Sequence, residues 1–268
     1  MTSFSVIITC YNCEKYIDEA VKSVKKQTLL PKELIFIDDY SIDGTREKIK
    51  RYKTDIKKIK VLEYFLEKNY GPSKARNCGW DIAKSEYICF LDPDDSWKEK
   101  RLEILSNFIE KMNYPIFISN KYFVNEKYSD VFKKSYSRIN FWKMLIKNYV
   151  ATPATAIKRE ISERYREDMR YNEDHELYLR LSEKYSVYLL NAKLTKLGRP
   201  LNTKGGLSGN LWAMRWGEIR TYFYAMSYKR IIIIFFPVFV IFSLIKHIKR
   251  FIQIKTKYNL KRNNKKKI

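Results

Sequence analysis

The chain has 268 residues, 45% of them hydrophobic and 15% aromatic, enough for one large domain with a filled core plus an appendage, which excludes a disordered polymer. Its formal net charge of +23 is unevenly placed: residues 229–268 hold 12 Lys or Arg and no Asp or Glu, leaving a body of 41 basic and 30 acidic residues. Such a mixed body disfavours a nucleic-acid binder and makes an anionic membrane surface the expected partner of the tail.

Met1 leads almost directly into the first strand pattern, without the basic region and cleavage site of a secretory leader, so a cytoplasmic location with reduced thiols is expected. Phe4 to Thr9 reads as a strand, and Glu14 to Gln27 as a helix with Ile17, Ala20, Val21 and Val24 on one face. Leu34 to Ile37 is a short buried strand, Gly44 to Tyr52 a helix, and Ile59 to Phe65 a strand. Pro72 to Ala83 is a helix with proline in its first turn, Tyr87 to Leu91 a fourth strand, and Lys98 to Met112 a further helix. This alternation predicts a parallel sheet with crossover helices, whose ligands gather where the strand order reverses.

The second half is less regular. Pro115 to Asn120 reads as a strand, Tyr122 to Tyr136 as a polar and aromatic stretch, and Ile139 to Lys147 as a helix. Residues 151–156 are small and uncharged, suited to lining a pocket. Glu173 to Lys184 is a helix and Val187 to Leu190 a strand; a glycine-rich segment, Gly205 to Gly209, precedes a helix over Leu211 to Ala225. Cys10 and Cys13 form a lone C-x-x-C, Cys78 and Cys89 lack zinc spacing, and two histidines, His175 and His247, are too few for a histidine-based metal site.

Polar clusters fall at the strand ends. The first strand runs into Thr9-Cys10-Tyr11-Asn12, the second into Asp38-Asp39-Tyr40-Ser41, and the fourth into Asp92-Pro93-Asp94-Asp95. Three carboxylates within four positions repel one another, and a hard divalent cation shared with substrate phosphates would relieve that repulsion. Helix caps and turns are the plainer reading of each cluster taken alone. Their recurrence at equivalent strand ends points to a site for a phosphorylated ligand.

With these clusters on view, residues 4–210 resemble a family 2 glycosyltransferase of GT-A fold, of the bacterial surface-polysaccharide type. The likeness rests on Val6 to Asn12, Asp38 to Thr45, Asn69 to Gly79, Leu91 to Asp95 and Glu173-Asp174, in that order. It implies an α/β fold with a Rossmann-like, mostly parallel sheet flanked by helices. Thr9, Tyr11 and Asp39 would hold the nucleotide base, with Asn12 and Glu14 nearby. Gly71 would let the backbone turn beside the ligand and Arg76 would approach the diphosphate. Asp92 and Asp94 match a DxD motif that ligates Mg²⁺ or Mn²⁺, Asp92 also reaching the ribose, with Asp95 supporting the loop. Asp174 matches the base that deprotonates an acceptor hydroxyl, and a single carboxylate there implies inversion. An Arg-x-x-His segment found in many members is missing; Arg199, Lys204 and Ser208 are the candidate diphosphate contacts in its place.

The expected organisation is a glycosyltransferase domain over 1–228, with a nucleotide-sugar half (1–112) and an acceptor half (113–228). A membrane-associating helix over 229–254 and a basic, disordered tail over 255–268 follow. Ile231 to Ile245 carries no charge but, at ~1.5 Å per residue, falls short of a ~30 Å hydrocarbon core. From Leu244 to Gln253, apolar and basic residues take opposite helical faces, the pattern of a helix lying in the interface. The expected partners are therefore a nucleotide-sugar donor, a glycan or lipid-linked acceptor and an anionic membrane surface at the cytoplasmic face. Rival readings are a sugar-phosphate nucleotidyltransferase, which would release pyrophosphate, and a non-enzymatic basic protein.

Overall fold

The structure is a computed structural model, and it describes residues 1–124, 135–199, 209–246 and 248. It divides into two compact units, Met1–Pro200 and Leu201–Ile268.

The first unit is organised around a single mixed sheet. Strands β1 (Phe4–Cys10), β2 (Glu33–Asp38), β3 (Lys60–Phe65) and β4 (Tyr87–Phe90) form its parallel part, ordered β3-β2-β1-β4. Both faces of β2 and β4 are buried, which is why these segments are continuous apolar runs without alternation. Helices α1 (Ile17–Lys25), α2 (Thr45–Asp55), α3 (Pro72–Ile82) and α4 (Arg101–Lys111) connect or follow the strands. On α1 the stripe Ile17, Ala20, Val21 and Val24 is buried, as its spacing requires. α3 lies very close to the sheet: a methyl group on Gly79 would sit 2.4 Å from Ile7 Cγ2.

Two helices start later than their periodicity suggested. Tyr16 and Ile17 both donate to the Cys13 carbonyl in a turn, so α1 begins at Ile17. Ser96–Trp97 form β5, pairing with β9 (Val187–Lys196), and hold back the start of α4 to Arg101. β9 continues six residues past Leu190, because Ala192, Leu194 and Thr195 bury in the sheet.

The remaining strands extend the sheet with mixed polarity. β8 (Thr155–Lys158) runs antiparallel to β4 and to β6 (Phe117–Phe123); β6 is parallel to β9, and β7 (Tyr136–Ile139) is antiparallel to it. Helices α5 (Phe141–Ile146) and α6 (Glu173–Lys184) complete the unit. Residues 151–156 are buried and belong to the core: Trp97 Nε1 donates to the Pro153 carbonyl, and the Tyr178 hydroxyl donates to Thr152 Oγ1.

The second unit contains α7 (Leu211–Tyr228) and a following helix, α8, over 232–246.

Candidate active site

The parallel register delivers three loops to one sheet edge. Cys10 of β1 pairs with Asp38 of β2, and Ile7 of β1 with Phe90 of β4, so the segments starting at Tyr11, Asp39 and Leu91 emerge side by side. β2 and β3 lie to one side of β1 and β4 to the other, so the order reverses there and a crevice opens between the diverging connections.

The first two loops are stitched together. Asn12, with φ of 49°, donates its backbone N–H to Ser41 Oγ, and its side-chain oxygen accepts from the Ile42 amide. Glu14, expected near the base, puts its carboxylate on the Gly44 amide ahead of α2. Tyr11 is half exposed beyond β1, Thr9 is partly buried within it, and Asp38 is buried against Arg46. Asp39 accepts from the Tyr70 and Gly71 amides at 2.7 and 2.8 Å. Burial still lifts its carboxyl above the ordinary range against those two donors. Gly71 itself has φ of +93°, a conformation that suits glycine, and opens α3 at the point the loop requires.

Arg76 of α3 is the hub of the charged cluster. It is buried, contacts Glu173 Oε1 at 2.7 Å and Asp92 Oδ1 at 3.5 Å, and lies over the Tyr165 ring. Burial alone would depress its pKa, but Asp92, Tyr165 and Glu173 outweigh that and keep it protonated. Glu173 is pushed up to about 7, by burial first and by Asp174 in addition, with Arg76 opposing. Burial likewise raises Asp92, which Arg76 lowers and Asp94 and Asp174 lift further. Asp95 reaches about 8 through burial and its neighbours Asp92 and Asp94.

The aspartate loop is held from β9. Gly198 donates to Asp95 Oδ1 at 2.9 Å, and a methyl group on Gly198 would stand 1.8 Å from the Asp94 carbonyl oxygen. Arg199 Nε donates to Asp94 Oδ2 at 2.7 Å. Asp174 lies in the first turn of α6, where Oδ1 accepts from the His175 amide and Oδ2 from Asn148 Nδ2. His175 is buried with Nε2 2.6 Å from the Met144 carbonyl, a structural contact between α5 and α6.

Two contact groups therefore meet here, Arg199–Asp94 and Asp92–Arg76–Glu173, with Asp174 close enough to repel Asp92 and Glu173, and Asp39 holds the loop that starts α3. Ser208 and Lys204 lie outside the described residues. Sequence reasoning missed the Arg76–Glu173 pair, Gly198, and Asn148, for which no local motif gives a signal. Among the described residues no three His, Cys, Asp or Glu side chains converge as a metal cage. Asp92 and Asp94 nonetheless fit a hard cation that completes its shell with phosphate and water: both are oxygen donors, and burial and Asp94 raise Asp92 in spite of Arg76.

Comparison with known proteins decides the family. The profile described as Glycosyl transferase family 2 matches residues 5–166, more than half of the chain. The chain belongs to that family. An uncharacterised glycosyltransferase of Rickettsia conorii is 31% identical over 201 residues, covering 73% of this chain and 33% of that protein, so the chain spans about a third of such a relative. Among solved structures, residues 1–349 of S. aureus TarS with UDP-GlcNAc give a TM-score of 0.64 at 22% identity, covering 81% of this chain and 66% of that one. A Pyrobaculum calidifontis mannosyltransferase, solved with GDP-Man and Mn²⁺, gives 0.67 at 16% identity, with 84% and 64% covered. Those likenesses establish the GT-A fold for this family 2 chain.

Proposed function

We propose that this chain is an inverting glycosyltransferase. It moves a sugar from a nucleotide donor, of the UDP-sugar type, to a hydroxyl of a glycan or lipid-linked acceptor in cell-surface polysaccharide or lipopolysaccharide assembly. The observation that carries the reading is the convergence of Arg199–Asp94, Asp92–Arg76–Glu173 and Asp174 at the sheet's reversal point. The donor class draws on TarS, named a poly(ribitol-phosphate) N-acetylglucosaminyltransferase and solved with UDP-GlcNAc.

In this reading Thr9, Tyr11 and Asp39 receive the base, Tyr11 by stacking its exposed ring. Arg76 and Arg199 face the diphosphate; the buried Arg76 Nε, which has no hydrogen-bond partner, leaves a donor for it. Asp92 and Asp94 would hold Mg²⁺ or Mn²⁺, which when bound offsets charge on the departing nucleoside diphosphate. Arg199 competes with that cation for Asp94. Asp174, oriented by Asn148, takes the acceptor proton; the acceptor oxygen bonds to the anomeric carbon as the bond to the diphosphate oxygen breaks, the electron pair leaving with the diphosphate. A single displacement inverts the anomeric centre. The C-terminal segment places the enzyme at the cytoplasmic membrane face.

The test is a nucleoside-diphosphate release screen over donor sugars with Mn²⁺, run on the unaltered chain, Asp94→Ala and Asp174→Ala. Donor hydrolysis should need Asp94, and transfer to an acceptor should need both. Full transfer by either variant removes its assigned role, and pyrophosphate as the product would replace the reading with nucleotidyl transfer.

A further inference from the structure

The second unit holds a charged seam between its two helices, flanked by apolar packing: Tyr222 lies against Phe239 with ring centroids 5.2 Å apart, and Ala225 and Ile232 are buried. Arg215 and Lys246 both pair with Glu218, Arg215 donates to Ser243 Oγ at 3.0 Å, and Ser243 donates to Glu218 Oε2 at 2.8 Å. The Tyr222 hydroxyl donates to the other Glu218 oxygen at 3.0 Å, and Arg215, Glu218, Thr221 and Ser243 are all buried.

The outward surface is apolar. On α7, Trp212, Trp216 and Phe223 are exposed at helical spacing along one stripe, Trp212 by 70%. On α8, the residues shielded from solvent are 232, 236, 239, 240, 243 and 246; every other position from 233 to 245 is apolar, and Ile234 is 70% exposed. The exposed arc covers more than half of the α8 circumference, whereas docking a protein partner takes one stripe.

We infer that α7 and α8 form a hairpin seated in one leaflet of an anionic bilayer, with Trp212, Trp216 and Phe223 of α7 as part of the lipid contact. In hydrocarbon, charged groups must find partners within the protein, and Glu218 gathers Arg215, Tyr222, Ser243 and Lys246 between the helices. Charge complementarity selects the anionic surface: residues 229–268 supply 12 basic side chains and no acidic one. No helix among the described residues is long and apolar enough to cross a membrane. The inference rests on the membrane attachment proposed above and extends it to α7; it does not depend on the sugar-transfer chemistry.

The experiment uses the full chain with vesicles of phosphatidylcholine and phosphatidylglycerol, brominated along the acyl chains. Trp80 and Trp97 are buried in the first unit and Trp142, exposed there, is changed to Phe in every protein compared, so bromine quenching should come from Trp212 and Trp216. The Trp142→Phe protein should be quenched, and adding Trp212→Phe/Trp216→Phe should leave binding but remove most of the quenching. Trp216→Glu/Phe223→Glu should partition about tenfold less or weaker still, with an unchanged far-ultraviolet spectrum. Its donor hydrolysis without vesicles should be retained, so that failure here is separable from failure of the catalytic reading. Quenching that survives the Phe substitutions overturns the inference. Binding that salt abolishes without any quenching assigns attachment to the basic tail alone, and a dimer that does not partition assigns the face to a second copy; either result also overturns it.

Discussion

Replacing Arg76 with Met tests whether the charged cluster is one unit. The substitution keeps most of the stem volume and removes the guanidinium that neutralises two carboxylates. Glu173 and Arg76 are each 9% exposed and 2.7 Å apart, so the change strands a buried carboxylate, a loss of about 3–5 kcal/mol. Asp92 is 32% exposed at 3.5 Å, and its share is smaller, about 0.5–1 kcal/mol. Urea unfolding followed by tryptophan fluorescence should therefore show a loss of about 3–5 kcal/mol at about pH 9, where the Glu173 carboxyl of the unaltered chain is ionised. Adding Glu173→Gln removes the stranded charge, and the double variant should recover about 2–3 kcal/mol relative to additivity.

The pH dependence gives a second readout of the same pair. The Glu173 pKa in the folded chain, about 7, lies above its unfolded value, so its stabilising contribution is fully present below the unfolded pKa and is lost as pH rises through about 7. Without Arg76 the folded pKa moves higher still, and the loss should continue above pH 7. Glu173→Gln should flatten the profile in both backgrounds. An Arg76→Met cost below about 1 kcal/mol, strict additivity with Glu173→Gln, or an unchanged pH profile would refute the hub assignment.

Further outcomes follow from single contacts. Gly71→Ala should cost about 1–3 kcal/mol by urea unfolding, and the cost is entirely conformational, since a Cβ there meets nothing within 4 Å. Gly198→Ala should weaken donor binding in calorimetry with Mn²⁺, because the added methyl pushes β9's end off the Asp94 backbone; unchanged affinity would detach Gly198 from the site. Asn148→Ala should lower transfer rate and leave donor affinity intact, since it frees Asp174 Oδ2 and the Val150 amide and none of the residues assigned to the donor. Chelation should abolish nucleoside-diphosphate release, and Mn²⁺ should restore it.

Much of the first half was legible locally. Parallel strands buried on both faces must be continuous apolar runs, and a crossover helix can carry an apolar stripe, so β1, β2, β4 and α1 announce themselves. The aspartate loop and Glu173-Asp174 were visible because charge stands out against the strands and helices that deliver it. Less visible were elements whose reason is a distant partner. β5 exists because Ser96 and Trp97 pair with residues a hundred positions away, and the start of α4 shifts accordingly.

Taken alone, the order of residues determined the alternation of strands and helices, the acidic clusters at strand ends and the basic, apolar C-terminal region, since each depends on side-chain type and local period. Tertiary structure alone decided which charges meet. Arg76, Asp92 and Glu173 are brought together by packing of α3, β4 and α6 across 97 positions of sequence, and the polar seam between α7 and α8 arises only when the helices pair. Coulomb interactions depend on separation in space and on burial, and neither is written in the spacing along the chain.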